Sequence, residues 1–150
     1  GHRFLVKRPP NGYFTAIAVG HSRDASRVVT GLRFDIVSAD GTRTSKVVGD
    51  INSRWTPLLD LMNTRRQPIG LHGSFGHVID RLGFIQSDGR RSPAFGGSGG
   101  DTLFDIRIAG EGQNLADSLD GFFGTVCEWN NTQAIESLGV LFYSPERSQP

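Results

Sequence analysis

The sequence predicts an all-β fold built from short antiparallel strands joined by tight turns. Two observations predict it. Twenty of the 150 residues are glycine, near twice the usual share of about 7%, and this glycine content is typical of a chain with many turns. A pattern of spaced apolar residues also recurs three times along the chain, and such spacing is typical of strands that bury one face.

The repeated pattern aligns on one anchor residue in each copy: Thr30, Asp80 and Glu136. An apolar residue precedes each anchor by one position, and others follow it by two and by four. In chain order these residues are Val29, Leu32 and Phe34; Ile79, Leu82 and Phe84; and Ile135, Leu138 and Val140. Residues two apart point to the same side of a strand, so the last two of each set line a buried face. Three units of about 50 residues predict three antiparallel sheets around one core, a three-sided prism. An ordinary β-sandwich is the alternative.

Turn signals follow the first two copies of the pattern. Asp40-Gly41 and Asp88-Gly89 predict hairpin turns, because this dipeptide tolerates the positive φ angles of tight turns. After each turn we expect a short strand and then a glycine loop, at residues 48–50 and 95–101.

The third copy ends at Tyr143 without a turn or a glycine loop. We expect residues 9–13 and a strand at residues 14–19 to supply its missing half. Pairing of the first segment with the last would remove exposed sheet edges. Residues 55–62 fit a helical turn as well as a strand or a loop between units, and the sequence leaves this open.

The length of the chain fits one domain. We expect residues 1–11 to be a tag remnant and an N-terminal arm, residues 12–144 to form the domain, and residues 145–150 to be a linker in a larger protein. The single cysteine, Cys127, cannot form an internal disulfide. No apolar run approaches the roughly 18 residues of a membrane span, so we expect no membrane insertion.

Charge is nearly balanced, with 16 basic and 15 acidic residues. This argues against a nucleic-acid binder, which usually carries a basic excess. The pairs Arg65-Arg66 and Arg90-Arg91 are either solvated turn charges or a patch for sulfated polysaccharide.

Three segments resemble the jacalin-related lectins in order and spacing: residues 28–41 (VVTGLRFDIVSADG), residues 95–106 (FGGSGGDTLFDI), and residues 119–143, which contain LDGFFG and AIESLGVLFY. The resemblance covers nearly the whole chain. It implies a β-prism of three antiparallel Greek-key sheets with pseudo-threefold symmetry, and calcium-independent binding of sugars. In that family a loop of pattern GxxxD supplies a carboxylate and backbone amides, and a neighbouring GG loop supplies another amide.

One unit has both halves of such a site. The GxxxD match is Gly76, His77, Val78, Ile79 and Asp80, and the partner loop begins with Gly96, Gly97 and Ser98. A carboxylate can accept hydrogen bonds from two adjacent hydroxyls, and glycine lets backbone amides approach a ligand. We expect Asp80 to accept, the amides of His77 and Val78 to donate, Gly97 to close the other side, and the His77 ring to pack against the sugar.

The other two units depart from the pattern. Thr30 replaces the acid in the first unit, where we expect no sugar site. In the third unit Glu136 replaces the aspartate, and the expected partner loop at residues 9–12 lacks the double glycine. This corner is either a second site, in which Trp129 stacks on a sugar, or a lost site. Asn130-Asn131-Thr132 also matches an N-glycosylation sequon.

These features favour a binding module over an enzyme, because the histidines and acids lack the spacing of a zinc protease and the arrangement of a glycosidase. We expect it to bind glycans or glycoproteins of the mannose or glucose type without a cofactor or metal, in a secreted protein. Oligomers or a multidomain parent would supply avidity. The alternatives are a protein-interaction module that has lost sugar binding and a binder of acidic polysaccharide through the arginine pairs.

Overall fold

The computed structural model describes residues 1–61, 68–86, 88–107 and 119–142, and within them the chain is all β. None of these residues forms a helix that could cross a membrane. The strands are β1 (His2–Lys7), β2 (Tyr13–His21), β3 (Val29–Val37), β4 (Arg43–Gly49), β5 (Arg54–Asp60), β6 (Pro68–Phe75), β7 (Ile79–Gln86), β8 (Phe95–Gly96), β9 (Thr102–Arg107), β10 (Leu119–Trp129) and β11 (Thr132–Phe142).

The strands form three antiparallel sheets, as the repeat predicted. The first sheet has the order β4-β3-β2-β5 and the second has the equivalent order β8-β7-β6-β9. In each, the fourth strand returns to lie beside the first, which is Greek-key order. The third sheet has three strands within the described residues, in the order β1-β10-β11.

The strand that completes the third sheet is not the expected one. Residues 14–19 lie in β2 and pair with β3 in the first sheet, whereas β1 pairs with β10 from His2 opposite Val126 to Lys7 opposite Gly121. The closing strand therefore comes from the segment expected to be a tag remnant and an arm. The expected linker at residues 145–150 lies outside the described residues.

Each hairpin contains a β-bulge at its anchor residue. Thr30, Asp80 and Glu136 each fall between two consecutive partners of the neighbouring strand, so each is an extra, unpaired residue. The bulge explains the apolar spacing. The residue before the anchor and the one two positions after it both reach the core, although they are three apart and strict alternation would place them on opposite faces.

The core lies between the three sheets and is centred on phenylalanines. Phe122 of the third sheet stacks on Phe34 of the first at a centroid distance of 4.7 Å, and it meets Phe14 and Phe84 edge to face. Phe122 lies opposite Val140, the third copy's equivalent of Phe34 and Phe84. Its ring therefore fills the volume that the smaller valine leaves.

A second, smaller apolar cluster lies at the bulged end of the prism. It joins Val28, Val78 and Ala134, which are the residues two positions before the three anchors. Because one residue comes from each unit at the same repeat position, the cluster lies where the three units meet and confirms their pseudo-threefold relation.

The segment that the sequence left open, residues 55–62, is extended as far as β5 reaches. Pro57 lies opposite Ala18 in this strand. β5 is at the sheet edge, where a residue without an N–H donor is tolerated. Both Asp-Gly turns form as expected: Gly41 and Gly89 have φ angles of +86° and +85°.

We expect Phe122→Ala to lower the free energy of unfolding by about 3–5 kcal/mol, because it leaves a cavity where all three sheets meet. The matched control is Phe123→Ala, since the Phe123 ring points outward and is 45% exposed. Urea denaturation of both variants checks this. Equal losses would contradict the central position of Phe122.

Candidate functional site

The loop at residues 76–80 places a carboxylate and free amides at the bulged end of the second sheet. Gly76 and His77 are exposed, and Val78 and Ile79 bury their side chains in the two apolar clusters. The Gly76 N–H donates to the Val78 carbonyl at 3.0 Å. Within the described residues, neither the His77 N–H nor the Val78 N–H has an acceptor.

The partner loop at residues 96–100 contacts this loop through its glycines. The Gly97 N–H donates to the Asp80 carbonyl at 2.8 Å, and a Cβ on Gly97 would lie 2.0 Å from the Ser26 carbonyl oxygen. Gly97 is therefore buried and its amide is already used. The expectation that it closes the sugar site is not supported by this geometry.

Gly99 and Gly100 instead face the Asp80 carboxylate. A Cβ on Gly99 would lie 2.7 Å from one carboxylate oxygen, and a Cβ on Gly100 would lie 2.8 Å from the other. Any side chain at these positions would press on the carboxylate. The Ser74 hydroxyl donates to the Gly99 carbonyl at 2.9 Å and so ties the glycine loop to β6. Ser98 is exposed at the loop tip.

The Asp80 carboxyl group has a pKa above its usual value of 3.8. Partial burial is the larger cause, since it disfavours the charged form, and the negative charge of Asp101 adds to the increase. A hydrogen bond from the Gly76 backbone acts in the opposite direction. A carboxylate has about four acceptor positions, and within the described residues the Gly76 N–H is the one donor to this group, so acceptor capacity remains.

In the first unit's corner the anchor side chain is hydrogen-bonded within the protein. The hydroxyls of Thr30 and Ser53 share a buried hydrogen bond of 2.6 Å, and Ser53 donates to the Asp50 carbonyl at 2.6 Å. The Asp50 N–H donates to the Thr30 carbonyl at 2.9 Å, which is the counterpart of the Gly97 contact to Asp80. The backbone contact is shared, but here the Ser53 hydroxyl bonds to the anchor side chain.

Within the described residues, the third unit's corner has no loop of converging amides from residues 132–135. Residues 132–135 lie in β11 and pair with β10, so their amides point alternately to either side of the strand. Glu136 is exposed. The expected partner loop at residues 9–12 follows Lys7, which lies opposite Gly121 of β10. The Glu136 corner lies near Val126 of β10, because Val126 pairs with Ile135. That loop is therefore at the other end of β10, roughly 16 Å away.

Trp129 lies at the end of the β10–β11 hairpin, opposite Thr132. Its ring lies beside the His77 ring, with centroids 6.5 Å apart. Trp129 of the second candidate site therefore lies beside the first site, whereas Glu136 lies four residues further along β11 than Thr132, the partner of Trp129.

The arginine pairs contribute little free positive charge in the part of the chain that is described. Arg91 forms an ion pair with Asp105, and the Arg90 Nε lies 4.0 Å from an Asp88 carboxylate oxygen. The pair at residues 65–66 lies outside the described residues. No group of three or more His, Cys, Asp or Glu side chains within the described ranges could hold a metal ion.

Solved structures with the same architecture are lectins. Calsepa lectin in complex with a bisected glycan matches with a TM-score of 0.64 at 17% identity, over 96% of this chain and 90% of its own. Lectin MPA complexed with T-antigen disaccharide matches with a TM-score of 0.65 at 16% identity, over 96% and 100%. Prostate-specific WGA16 glycoprotein lectin matches with a TM-score of 0.64 at 16% identity, over 95% and 91%. This chain has the fold of the jacalin-related lectins.

The β-prism of these lectins is thus the fold that the sequence resemblance implied. No family model matches the sequence, and no curated protein matches it significantly. The likeness therefore lies in the fold rather than in residue identity.

Sequence reasoning missed three features of this lectin-fold corner. It gave the closing role to Gly97 and none to Gly99 or Gly100, it did not include Asp101, and it kept Trp129 apart from His77. The inserted residues 126–131 carry a signal for the last feature, because a longer hairpin extends beyond its own sheet.

We expect Asp101→Asn to lower the pKa of the Asp80 carboxyl group, because it removes the negative charge that helps to raise it. Carbon-detected NMR titration of the aspartate side chains measures this pKa. Asp40→Asn, at the distant turn before Gly41, is the control and should leave it unchanged. An unaltered Asp80 pKa in the Asp101→Asn variant would contradict the coupling.

Proposed function

We propose that this chain is a calcium-independent carbohydrate-binding domain whose site is the corner formed by residues 76–80 and 96–101. The observation that carries the proposal is the Asp80 carboxylate, which faces two glycines and keeps acceptor capacity beside the free amides of His77 and Val78. Adjacent sugar hydroxyls are donors and acceptors at once, so this set of groups complements them.

The chemistry of the site requires no cation. The carboxylate accepts hydrogen bonds from two neighbouring hydroxyls, and such charge-assisted bonds are short and strong. The two amides donate to sugar oxygens from a loop that the buried Val78 and Ile79 hold in place. Gly99 and Gly100 have no side chain that would press on the carboxylate.

We further propose a glycan of the mannose or glucose type. The resemblance supports this choice. In that family the galactose-binding group is associated with a cleaved chain, whose new N-terminal glycine lies beside the principal site. The loop at Gly76 has no counterpart of that glycine. Solved lectins of the same fold carry a bisected glycan, a biantennary N-glycan or T-antigen disaccharide. A single site of this size should bind a monosaccharide with an affinity of about millimolar.

Asp80→Asn should reduce glycan binding by about 100-fold or more, because two hydrogen bonds to a charged group are each worth about 1.5–3 kcal/mol. A glycan array followed by isothermal titration calorimetry with methyl α-mannoside measures the loss. EDTA should leave the wild-type affinity unchanged.

Glu136→Gln is the matched control for Asp80→Asn, since it makes the same chemical change at the equivalent repeat position, and it should bind normally. Asp80→Asn should remain folded. This is expected because a carboxyl group whose pKa is raised in the folded protein lowers the free energy of unfolding when it is charged at neutral pH, and the substitution removes that charge. Binding that survives Asp80→Asn, or an array on which the wild type binds no glycan, would reject the proposal.

Glycan binding should weaken as the pH falls through the raised pKa of Asp80, because the protonated carboxyl group loses acceptor capacity. The Asp101→Asn variant has a lower Asp80 pKa, so its acid limb should move to lower pH. Calorimetric affinities measured across the acid range test both statements. An acid limb that is the same in the two proteins would assign the titration to another group.

A further inference from the structure

The β10–β11 hairpin extends further from its bulge than the other two hairpins do. Beyond Glu136 it continues for four residue pairs, three more than either of the other hairpins, and ends with Trp129 opposite Thr132. It closes through Asn130 and Asn131, which both have positive φ angles, as a two-residue type I′ turn requires. The three extra pairs add roughly 10 Å and carry Trp129 beyond its own sheet.

Trp129 reaches the loop that contains Asp80. Its ring lies beside the His77 ring, with centroids 6.5 Å apart and planes inclined by 34°. Trp129 packs on the Val28, Val78 and Ala134 cluster, which holds it in place, while His77 is exposed. The two rings, from different sheets, form one aromatic surface three residues away from Asp80 along the loop.

The pseudo-threefold relation shows why this surface is open. In the other two units the residue four positions before the anchor contacts a loop of another unit. Ser26 lies against Gly97, and the Thr132 hydroxyl donates to the Asp50 carboxylate at 2.8 Å. Gly76 is the third equivalent; it is exposed, and within the described ranges no residue of another sheet lies against its Cα.

We infer that the rings of His77 and Trp129 form a second sugar subsite, so that the domain recognises a glycan of at least two pyranose rings. This inference rests on the proposed function: one ring binds at Asp80 and the next stacks on the aromatic surface. The C–H face of a pyranose is apolar and matches a flat aromatic ring, whose electron-rich face attracts C–H groups. Recognition therefore spans the second and third sheets.

The first test compares Trp129→Ala with the wild type by calorimetry, using methyl α-mannoside and α-1,3-mannobiose, or the corresponding pair of whichever sugar the array selects. The wild type should bind the disaccharide about tenfold more tightly than the monosaccharide. Trp129→Ala should lose this preference and keep the monosaccharide affinity, and Trp129→Phe should retain most of it. Trp55→Ala, at the chain's other tryptophan, is the matched control and should preserve it.

The second test uses fluorescence. Trp55→Phe leaves Trp129 as the only tryptophan, because the chain has two. The disaccharide should shift its emission and protect it from acrylamide quenching, and the monosaccharide should do neither.

The outcomes separate the two proposals. If the monosaccharide binds through Asp80 and the disaccharide binds no more tightly, or if Trp129 emission is indifferent to it, the second subsite is wrong and the proposed function stands. Equal loss of both sugars in a folded Trp129→Ala protein also overturns the subsite. If no sugar binds through Asp80, both proposals fall.

Discussion

The β-bulge at each anchor residue is the constraint on which every corner of the prism depends. An extra residue leaves the ladder, so its side chain is redirected while its carbonyl accepts an amide from the following glycine loop. Thr30 and Asp80 share this arrangement, with acceptor distances of 2.9 and 2.8 Å. The backbone thus prepares the same corner twice. The side chains around the corner then determine whether the protein itself fills it or leaves it exposed.

The three corners differ in how that backbone is filled. At Thr30 a serine hydroxyl occupies the space, and the hydrogen bonds are satisfied within the protein. At Asp80 the space is left to a partly buried carboxylate whose pKa is raised, an arrangement that costs stability and is typical of binding sites. At Glu136 a regular hairpin replaces the loop. The three equivalent corners of one fold therefore differ in their side chains and, at Glu136, in the loop itself.

The core permits this divergence because its packing does not depend on the tips of the loops. Phe122 joins the three sheets by aromatic packing, and the Val28, Val78 and Ala134 cluster seals the bulged end. The loops beyond it are free to lengthen, as the β10–β11 hairpin does, without loss of core packing. Variable loops on a rigid scaffold are the usual place for binding residues.

The sequence by itself determined the all-β class, the three units and the anchor position of Asp80, because apolar periodicity and Asp-Gly turns are local properties of a chain. It even encoded the bulge, in the three-residue interval between Ile79 and Leu82. Only the tertiary structure decided that β1 closes the third sheet, that the Gly97 amide is already used, and that Trp129 lies beside His77. Each of these is a contact between segments distant in the chain, and strand periodicity does not specify which distant segments meet.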